Sequence, residues 1–283
     1  MRAIHSIIGD KSLDRTSSDP AGAINTMAFA GLDIGSTATK AAIIDGISNE
    51  VIAVAEKSTG WNPKAAAQEA LEEALSLLPS SDFEIIRTVA TGYGRNMASG
   101  IDKRVTEISC HALGAKHLVP DAMTVLDIGG QDSKLISLDE HGNVRDFLMN
   151  DKCAAGTGRF IANMAIALGV DLDNFGVLAS LGNPAPISSM CAVFAESEVI
   201  GLTASGVSRK DLAAGIVISI AKRLTSLAGR IPLTPNIAFT GGTARNADLA
   251  ECFSKALNIE LIAPPLAPFA GAIGAALIAA KNA

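Results

Sequence analysis

Two segments of this chain repeat each other without a gap, and this repeat limits the fold more than any other feature of the sequence. Leu32–Lys40 and Leu126–Lys134 share their Leu, Asp, Ile and Gly residues and the closing Lys. In both copies an apolar stretch leads into small polar residues and then into a second alternating stretch, as expected for a strand, a tight turn and a returning strand. A further turn, at Gly46 in the first copy and at Gly142 in the second, precedes a third strand. The sequence therefore predicts two related antiparallel meanders, with strands at Phe29–Ile34, Lys40–Ile44, Val51–Glu56, Thr124–Ile128, Lys134–Leu138 and Val144–Met149.

Helices and further strands follow each meander. Pro63 introduces a segment rich in Ala, Leu and Glu, which favours a helix. The other predicted elements are helices at Lys64–Leu78, Glu107–Leu118, Asp211–Ala228, Ala247–Leu257 and Pro268–Ala280 and strands at Glu84–Ala90, Asn236–Phe239 and Ile259–Ile262. Because strands and helices alternate, we expect an α/β fold of two related lobes with a cleft between them. We place the lobes at residues 27–120 and 121–283, and we expect residues 1–26, which lack periodicity, to be a disordered extension.

Two cysteines stand directly before segments of helical periodicity. Cys153 lies in the loop Asn150–Phe160, and Cys191 precedes Ala192–Ile200. Thiols at helix starts have lowered pKa values and become metal ligands or nucleophiles more readily than buried thiols, although most intracellular cysteines are small core residues. Cys110 and Cys252 fall within predicted helices, so packing accounts for them.

Composition excludes several classes of function. The net charge is -6 and no basic tract occurs, so we expect neither a nucleic-acid partner nor an anionic membrane surface. Four cysteines without a signal-peptide pattern indicate a reducing cytoplasm, and no apolar run approaches the roughly 20 residues of a membrane span. The histidines show no ligand spacing and receive no role, and Trp61 is expected to anchor a loop by packing.

The repeated element has the chemistry of a phosphate site. An aspartate at a strand end, a turn of small residues and a lysine can cradle phosphates through backbone N–H groups, while one carboxylate from each lobe holds a hydrated Mg2+. A third turn, Gly241-Gly242, allows close approach of the backbone to a base or sugar. Neither a P-loop nor a dinucleotide-binding glycine motif occurs in the sequence. Two such turns facing one cleft suit a nucleoside triphosphate.

These turns resemble those of a known superfamily. Asp33–Thr37, Asp127–Asp132 and Thr240–Gly242 are similar to the two phosphate turns and the adenosine turn of the acetate kinase, sugar kinase, Hsp70 and actin superfamily. A closer resemblance, to the ATP-dependent activators of 2-hydroxyacyl-CoA dehydratases and benzoyl-CoA-type reductases, is carried by Ala90–Asn96, Asn150–Phe160 and Val193–Ile200 and runs from about Leu32 to Ala280. The resemblance implies duplicated actin/Hsp70-like (ribonuclease H-like) lobes around an ATP cleft.

The same resemblance implies a cofactor and partners. In that family a homodimer carries one [4Fe-4S] cluster on its two-fold axis, and the ligands here are expected to be Cys153 and Cys191 of each chain. ATP hydrolysis then drives one electron from a flavodoxin or ferredoxin to an iron-sulfur dehydratase or reductase. Such a cluster needs four thiolates, and a symmetric dimer supplies the two that one chain lacks. Reorientation of the cysteine helices around ATP is the expected energy source.

Roles in the ATP site follow from these motifs. Asp33 and Asp127 are predicted to hold Mg2+. Asp127 is also predicted to be needed for hydrolysis, with Gln131 or Asp132 orienting the attacking water. The residues predicted to surround the nucleotide are Gly35, Ser36, Thr37, Lys40, Gly129, Gly130 and Gln131 at the phosphates and Gly241, Gly242 and Asn246 at the adenosine.

Three alternatives remain open, because fold alone does not decide function. A sugar or carboxylate kinase of the same superfamily would be colourless and would leave the two helix-start cysteines unexplained. An ATP-switched assembly module, as in actin-like proteins, would assemble with nucleotide rather than transfer electrons. A dimer joined by zinc through the same cysteines would be redox-silent. The cysteine pair and its flanking residues favour the activator.

Overall fold

The structure is a computed structural model that describes residues 26–151, 154–188, 192–229, 231 and 233–281. The strands are β1 Thr26–Ile34, β2 Ala38–Asp45, β3 Val51–Ser58, β4 Phe83–Thr91, β5 Lys103–Arg104, β6 Thr124–Ile128, β7 Ser133–Leu138, β8 Val144–Asn150, β9 Ile237–Thr240 and β10 Leu261–Ile262. The α-helices are α1 Pro63–Ser76, α2 Glu107–Leu118, α3 Gly158–Leu168, α4 Leu172–Ser180, α5 Ala192–Ala204, α6 Arg209–Ala228, α7 Ala247–Leu257 and α8 Ala270–Lys281. The predicted extension lies outside the described residues except for Thr26, which begins β1.

Contacts divide the chain into two units, and the first ends at Cys110 and resumes at Gly271. Its sheet has the order β3-β2-β1-β4-β5, with β1 to β3 antiparallel and β4 parallel to β1. Helix α1 begins with Pro63 after the cap Asn62 and buries an alanine face against the sheet. Helix α8 packs so closely on β1 that a Cβ on Gly31 would overlap the backbone of Ala272 and Ala276. The sequence places α8 in the second lobe with a boundary near residue 120, whereas the contacts group it with the first sheet.

The second unit, His111–Ala270, repeats this topology. Its sheet has the order β10-β9-β6-β7-β8, in which β6 to β8 are antiparallel and β9 runs parallel to β6. Helices α3, α4, α6 and α7 cover its apolar core. The register repeats as well, because Asp33 lies opposite Lys40 and Asp127 lies opposite Lys134. The predicted pair of meanders and the α/β class are therefore confirmed.

Most predicted elements are present, and two were missed. Glu107–Leu118, Thr124–Ile128 and Ala247–Leu257 have the predicted bounds, while α4 and the short β5 have no counterpart in the prediction. The prediction for Trp61 is wrong, because this side chain is 93% exposed. Its loop is held instead by Thr59, whose hydroxyl donates to the Gly35 carbonyl at 2.7 Å.

In the described part of the chain, no single helix has the length and apolar character needed to cross a membrane. Helices α3 and α4, bent by 80° relative to each other, meet that criterion only as a pair.

Candidate functional site

A buried charged cluster lies at the end of β6 in the second unit. Asp127 is 1% exposed, and its Oδ1 accepts a hydrogen bond from the Thr240 hydroxyl at 2.9 Å. The same oxygen lies 3.2 Å from Nδ1 of His111 on α2. The Lys134 Nζ lies 3.3 Å from Asp127 Oδ2 and 2.7 Å from Asp132 Oδ1. The cluster therefore brings together Asp127 and Asp132, which the sequence predicts to act in hydrolysis. It also contains His111, to which the sequence analysis gives no role.

The charges of this cluster keep Asp127 ionised. Burial by itself raises the pKa of the Asp127 carboxyl. The charge interactions with His111 and Lys134 and the hydrogen bond from Thr240 outweigh burial and hold the pKa well below its usual range. Both oxygens of Asp127 already have partners, so this carboxylate suits a Mg2+ ion held through its water molecules better than one bound directly.

The turn between β6 and β7 lies next to this cluster. The Gly129 N–H donates to the Asp132 carbonyl at 3.0 Å, which closes the turn. Gln131 is exposed at the tip, and Asp132 is 26% exposed. Of the two residues predicted to orient water, Gln131 is thus the more accessible, while Asp132 is partly engaged by Lys134.

The first unit contains the corresponding turn. Asp33 is 6% exposed at the end of β1, next to a turn in which the Gly35 N–H donates to the Ala38 carbonyl at 3.2 Å. Ser36 is half-buried and Thr37 is exposed. Lys40 is half-buried opposite Asp33 in the ladder, unlike the fully buried Lys134. The lysine of the first turn is therefore the more accessible of the two.

The structural repeat extends to a fourth strand that sequence comparison missed. Thr91 on β4 lies beside Asp33, and Thr240 on β9 lies beside Asp127. Each threonine is followed by a glycine with φ of +86°, Gly92 and Gly241, a conformation that side chains rarely adopt. At both positions a Cβ would also collide with the backbone at the end of the neighbouring central strand. The Thr-Gly dipeptide that the two segments share is the sequence feature that could have revealed this part of the repeat.

The predicted adenosine turn contains one residue with a structural role of its own. Gly241 leads into a 3-10 turn, Gly242–Arg245, and Gly242 is exposed with open space around it. The Asn246 Oδ1 caps α7 by accepting from the Leu249 N–H at 2.8 Å. Its Nδ2 donates to the Asp173 carbonyl at 2.9 Å. These bonds give Asn246 a structural role in the protein without ligand, and its contact with adenosine stays a prediction.

The cysteines divide into two groups. Cys153 and Cys191, the predicted cluster ligands, lie outside the described residues. Cys110 is buried, and burial raises its pKa to about 12. Cys252 packs at the edge of the core, and burial raises its pKa as well. Within the described residues, no group of three or more His, Cys, Asp or Glu side chains is arranged to hold a metal ion.

The start of α3 contacts the second phosphate turn. The Gly158 N–H donates to the Gly129 carbonyl at 2.8 Å, and the Arg159 N–H donates to the Gly130 carbonyl at 3.1 Å. The first N–H groups of a helix are also the groups that lower the pKa of a thiol at a helix start. In α3 two of them donate to the phosphate turn.

Comparison with known proteins identifies related chains. Residues 30–279 match the BadF/BadG/BcrA/BcrD ATPase family. The activator of lactoyl-CoA dehydratase from Anaerotignum propionicum is 44% identical over 254 residues, which cover 88% of this chain and 96% of that protein.

Solved structures agree with this result. The activator of the 2-hydroxyisocaproyl-CoA dehydratase from Clostridium difficile, with bound ADPNP, superimposes with a TM-score of 0.84 at 41% identity, covering 90% of this chain and 95% of that one. A ROK family glucokinase from Streptomyces griseus reaches a TM-score of 0.56 at 14% identity, covering 90% of this chain and 99% of that one, and so shares the fold alone. Sequence and structure are thus much closer to the activator than to the sugar kinase.

Proposed function

Because the chain belongs to the BadF/BadG/BcrA/BcrD ATPase family, we propose that it hydrolyses ATP to drive single electrons into a dehydratase or reductase that it thereby activates. The observation that carries this proposal is the 44% identity to a dehydratase activator along nearly the whole of both chains. The small-molecule kinase is less well supported, since its likeness is confined to the fold.

ATP binding is supported by the two turns. The backbone of Gly129 and Gly130 would hold phosphate oxygens in the second unit, as would the turn with Gly35, Ser36 and Thr37 in the first. The ionised Asp127 offers its charge to the waters of a Mg2+ ion, and we assign the same role to Asp33. Gln131, exposed at its turn, is the better candidate for orienting the attacking water.

The donor chemistry of the chain fits a [4Fe-4S] cluster only through Cys153 and Cys191. A ligand binds as a thiolate, and burial, which raises the pKa of Cys110 and of Cys252, makes those two thiols the poorer candidates. Two ligands per chain require a second chain, so a symmetric homodimer completes the set. When bound, the cluster would supply one electron at a time.

The names of the relatives support one of the proposed partners. Proteins named as activators of lactoyl-CoA and 2-hydroxyisocaproyl-CoA dehydratases, and a subunit of benzoyl-CoA reductase, cover most of this chain. These names support a dehydratase or reductase as the electron acceptor, which we propose to be an iron-sulfur enzyme. A flavodoxin or ferredoxin as the donor is part of the same proposal and rests on the family resemblance of the sequence alone. Both would meet the protein in the cytoplasm.

The test is iron and acid-labile sulfide analysis of protein purified without oxygen, combined with its mass in solution. We expect about four irons per dimer, lost in Cys153→Ser and in Cys191→Ser while ATP still binds. Cys252→Ser is the matched control and should keep its iron. A colourless protein with ATP turnover intact, or one that retains iron in both ligand variants, would contradict the proposal.

A further inference from the structure

One buried side chain of the Asp127 cluster has no role in the hydrolysis proposed above. His111, in the second turn of α2, is 4% exposed, and its Nδ1 lies 3.2 Å from Asp127 Oδ1. Because an ionised carboxylate only accepts hydrogen bonds, the ring nitrogen at this distance carries a proton. Burial of a polar group is costly unless the group is paired, so packing alone does not explain a histidine at this position.

The other contacts of Asp127 come from the neighbouring strands. Lys134 on β7 and Thr240 on β9 are the ladder neighbours of Asp127, on the two sides of β6. Ladder neighbours point to the same face of a sheet, so Lys134 reaches Oδ2 and the Thr240 hydroxyl reaches Oδ1. His111 approaches the same carboxylate from a helix. Three different elements therefore contribute a contact to Asp127.

A carboxylate needs such contacts to keep one orientation. The last torsion of an aspartate is broad, because rotation about Cβ–Cγ has no sharp staggered minima. The partners of the two oxygens therefore set the plane of the carboxylate. Thr240 and His111 share Oδ1, so loss of the imidazole would leave the Thr240 hydroxyl to hold that oxygen.

The orientation of the carboxylate matters for a metal ion that is bound through water. Mg2+ requires nearly ideal octahedral geometry and usually keeps several of its waters. A carboxylate that accepts hydrogen bonds from those waters must present its oxygens in fixed directions. Removal of a group that orients such a carboxylate typically costs about 10- to 100-fold in metal affinity or activity.

From these contacts we infer that His111 is a positioning residue for ATP hydrolysis, which acts by fixing the orientation of the Asp127 carboxylate toward hydrated Mg2+. The inference rests on the proposed function, because it assigns His111 to the site proposed to bind Mg2+. His111 itself touches neither the nucleotide nor the metal in this scheme. Its contact is made by Nδ1, so a donor is required at the position of that atom.

Three substitutions separate this role from packing. His111→Asn retains a nitrogen donor attached to Cγ, where Nδ1 is attached in histidine. His111→Gln moves the donor one bond further along the side chain. His111→Leu keeps the branch at Cγ and removes the donor. His117→Leu is the matched control, because His117 is exposed on the same helix.

The first measurement is the affinity of Mn2+, a paramagnetic substitute for Mg2+, for the ADP complex of the full-length protein, followed by electron paramagnetic resonance. We expect His111→Leu and His111→Gln to weaken Mn2+ binding about 10- to 100-fold and His111→Asn to recover most of this loss. ADP affinity in excess EDTA should be the same in all variants, because the inferred contact acts on the metal. ATP hydrolysis should fall in the same order, and His117→Leu should match the unmodified chain in each assay.

Thermal melting establishes which variants are folded, and if His111→Leu is not, the comparison of His111→Asn with His111→Gln decides alone. Equal Mn2+ affinities in those two variants, or a larger loss in His111→Asn, would overturn the inference. So would a folded His111→Leu that loses ATP hydrolysis but keeps its Mn2+ affinity, or an unmodified chain whose ADP complex binds no Mn2+. Iron analysis decides the proposed function separately, because Mn2+ binding to the ADP complex requires no cluster.

Discussion

Replacing Lys134 by Met should destabilise the second unit strongly, because it leaves a buried carboxylate with one cationic neighbour fewer. Lys134 and Asp127 are each 1% exposed, and the ammonium group also contacts Asp132. Methionine keeps the apolar stem and similar volume, so the change removes mainly the charge. Breaking a buried ion pair by deleting one partner costs about 3–5 kcal/mol. Asp132 is 26% exposed and can turn to water, so most of this cost falls on Asp127.

The assay is thermal unfolding beside a matched variant. For a unit of this size the expected loss lowers the melting temperature by about 6–20 °C. Lys255→Met is the control, since Lys255 pairs with Glu251 across one turn of α7 and both side chains are more than half exposed. Such an exposed pair contributes little to stability, because water and salt screen its charges. If Lys134→Met unfolded within about 1 kcal/mol of Lys255→Met, the argument that the buried cluster holds the site together would be refuted.

Other predictions address the same region and the cysteines. Asp127→Asn should reduce ATP hydrolysis at least about 100-fold in kinetic assays without loss of iron, and unchanged turnover would remove Asp127 from the site. Because the pKa of Asp127 is lowered in the folded state, its contribution to stability is present at neutral pH and is lost as the pH falls below about 4. Urea unfolding at a series of pH values should show this loss, and the pH dependence of the unfolding free energy should be weaker in Asp127→Asn. Asn246→Ala should cost about 1 kcal/mol in unfolding free energy through the lost helix cap, with an ATP affinity within about threefold of the original; a tenfold weaker affinity would restore Asn246 to the adenosine site. Cys110, with a pKa raised to about 12 by burial, should resist alkylation at about pH 8 in the folded protein, and modification there would contradict its packing.

The strands of the two meanders were predictable because the same pattern of apolar and turn residues occurs twice in the sequence. Asp33 aligns with Asp127 and Lys40 with Lys134, so both hairpins are expected to have the same register, and the structure has a lysine opposite the aspartate in each. A shift by one residue would turn every apolar side chain of these strands to the wrong face. The hydrophobic pattern thus determines the register as strongly as the turns do.

The contact between His111 and Asp127 could not be predicted in the same way. Spacing rules find side chains that share one helix or strand, whereas this pair joins α2 to β6. For a related reason the sequence analysis did not predict that the Thr-Gly pairs at the ends of β4 and β9 lie beside the aspartates. Each stands far along the chain from the aspartate that it accompanies. Contacts of this kind arise only when the sheet is assembled.

Helix α4 was missed because its sequence is a poor helix former. Asn174 and Gly176 lie within it, and both residue types disfavour a helix interior. A Cβ on Gly176 would collide with the backbone N of Leu249, so glycine is needed for α4 to approach α7. Tertiary packing overrides local preference here.

The place of α8 in the first unit has a consequence for synthesis on the ribosome. This helix follows every strand and α-helix of the second unit in the chain, yet it packs on Gly31 in β1, which precedes them all. The second unit, by contrast, has all its strands and helices before α8 is translated. Domains usually fold in the order in which they are made. In this chain we expect the reverse, because the sheet of the first unit lacks the helix that packs on β1 until the whole second unit has been translated.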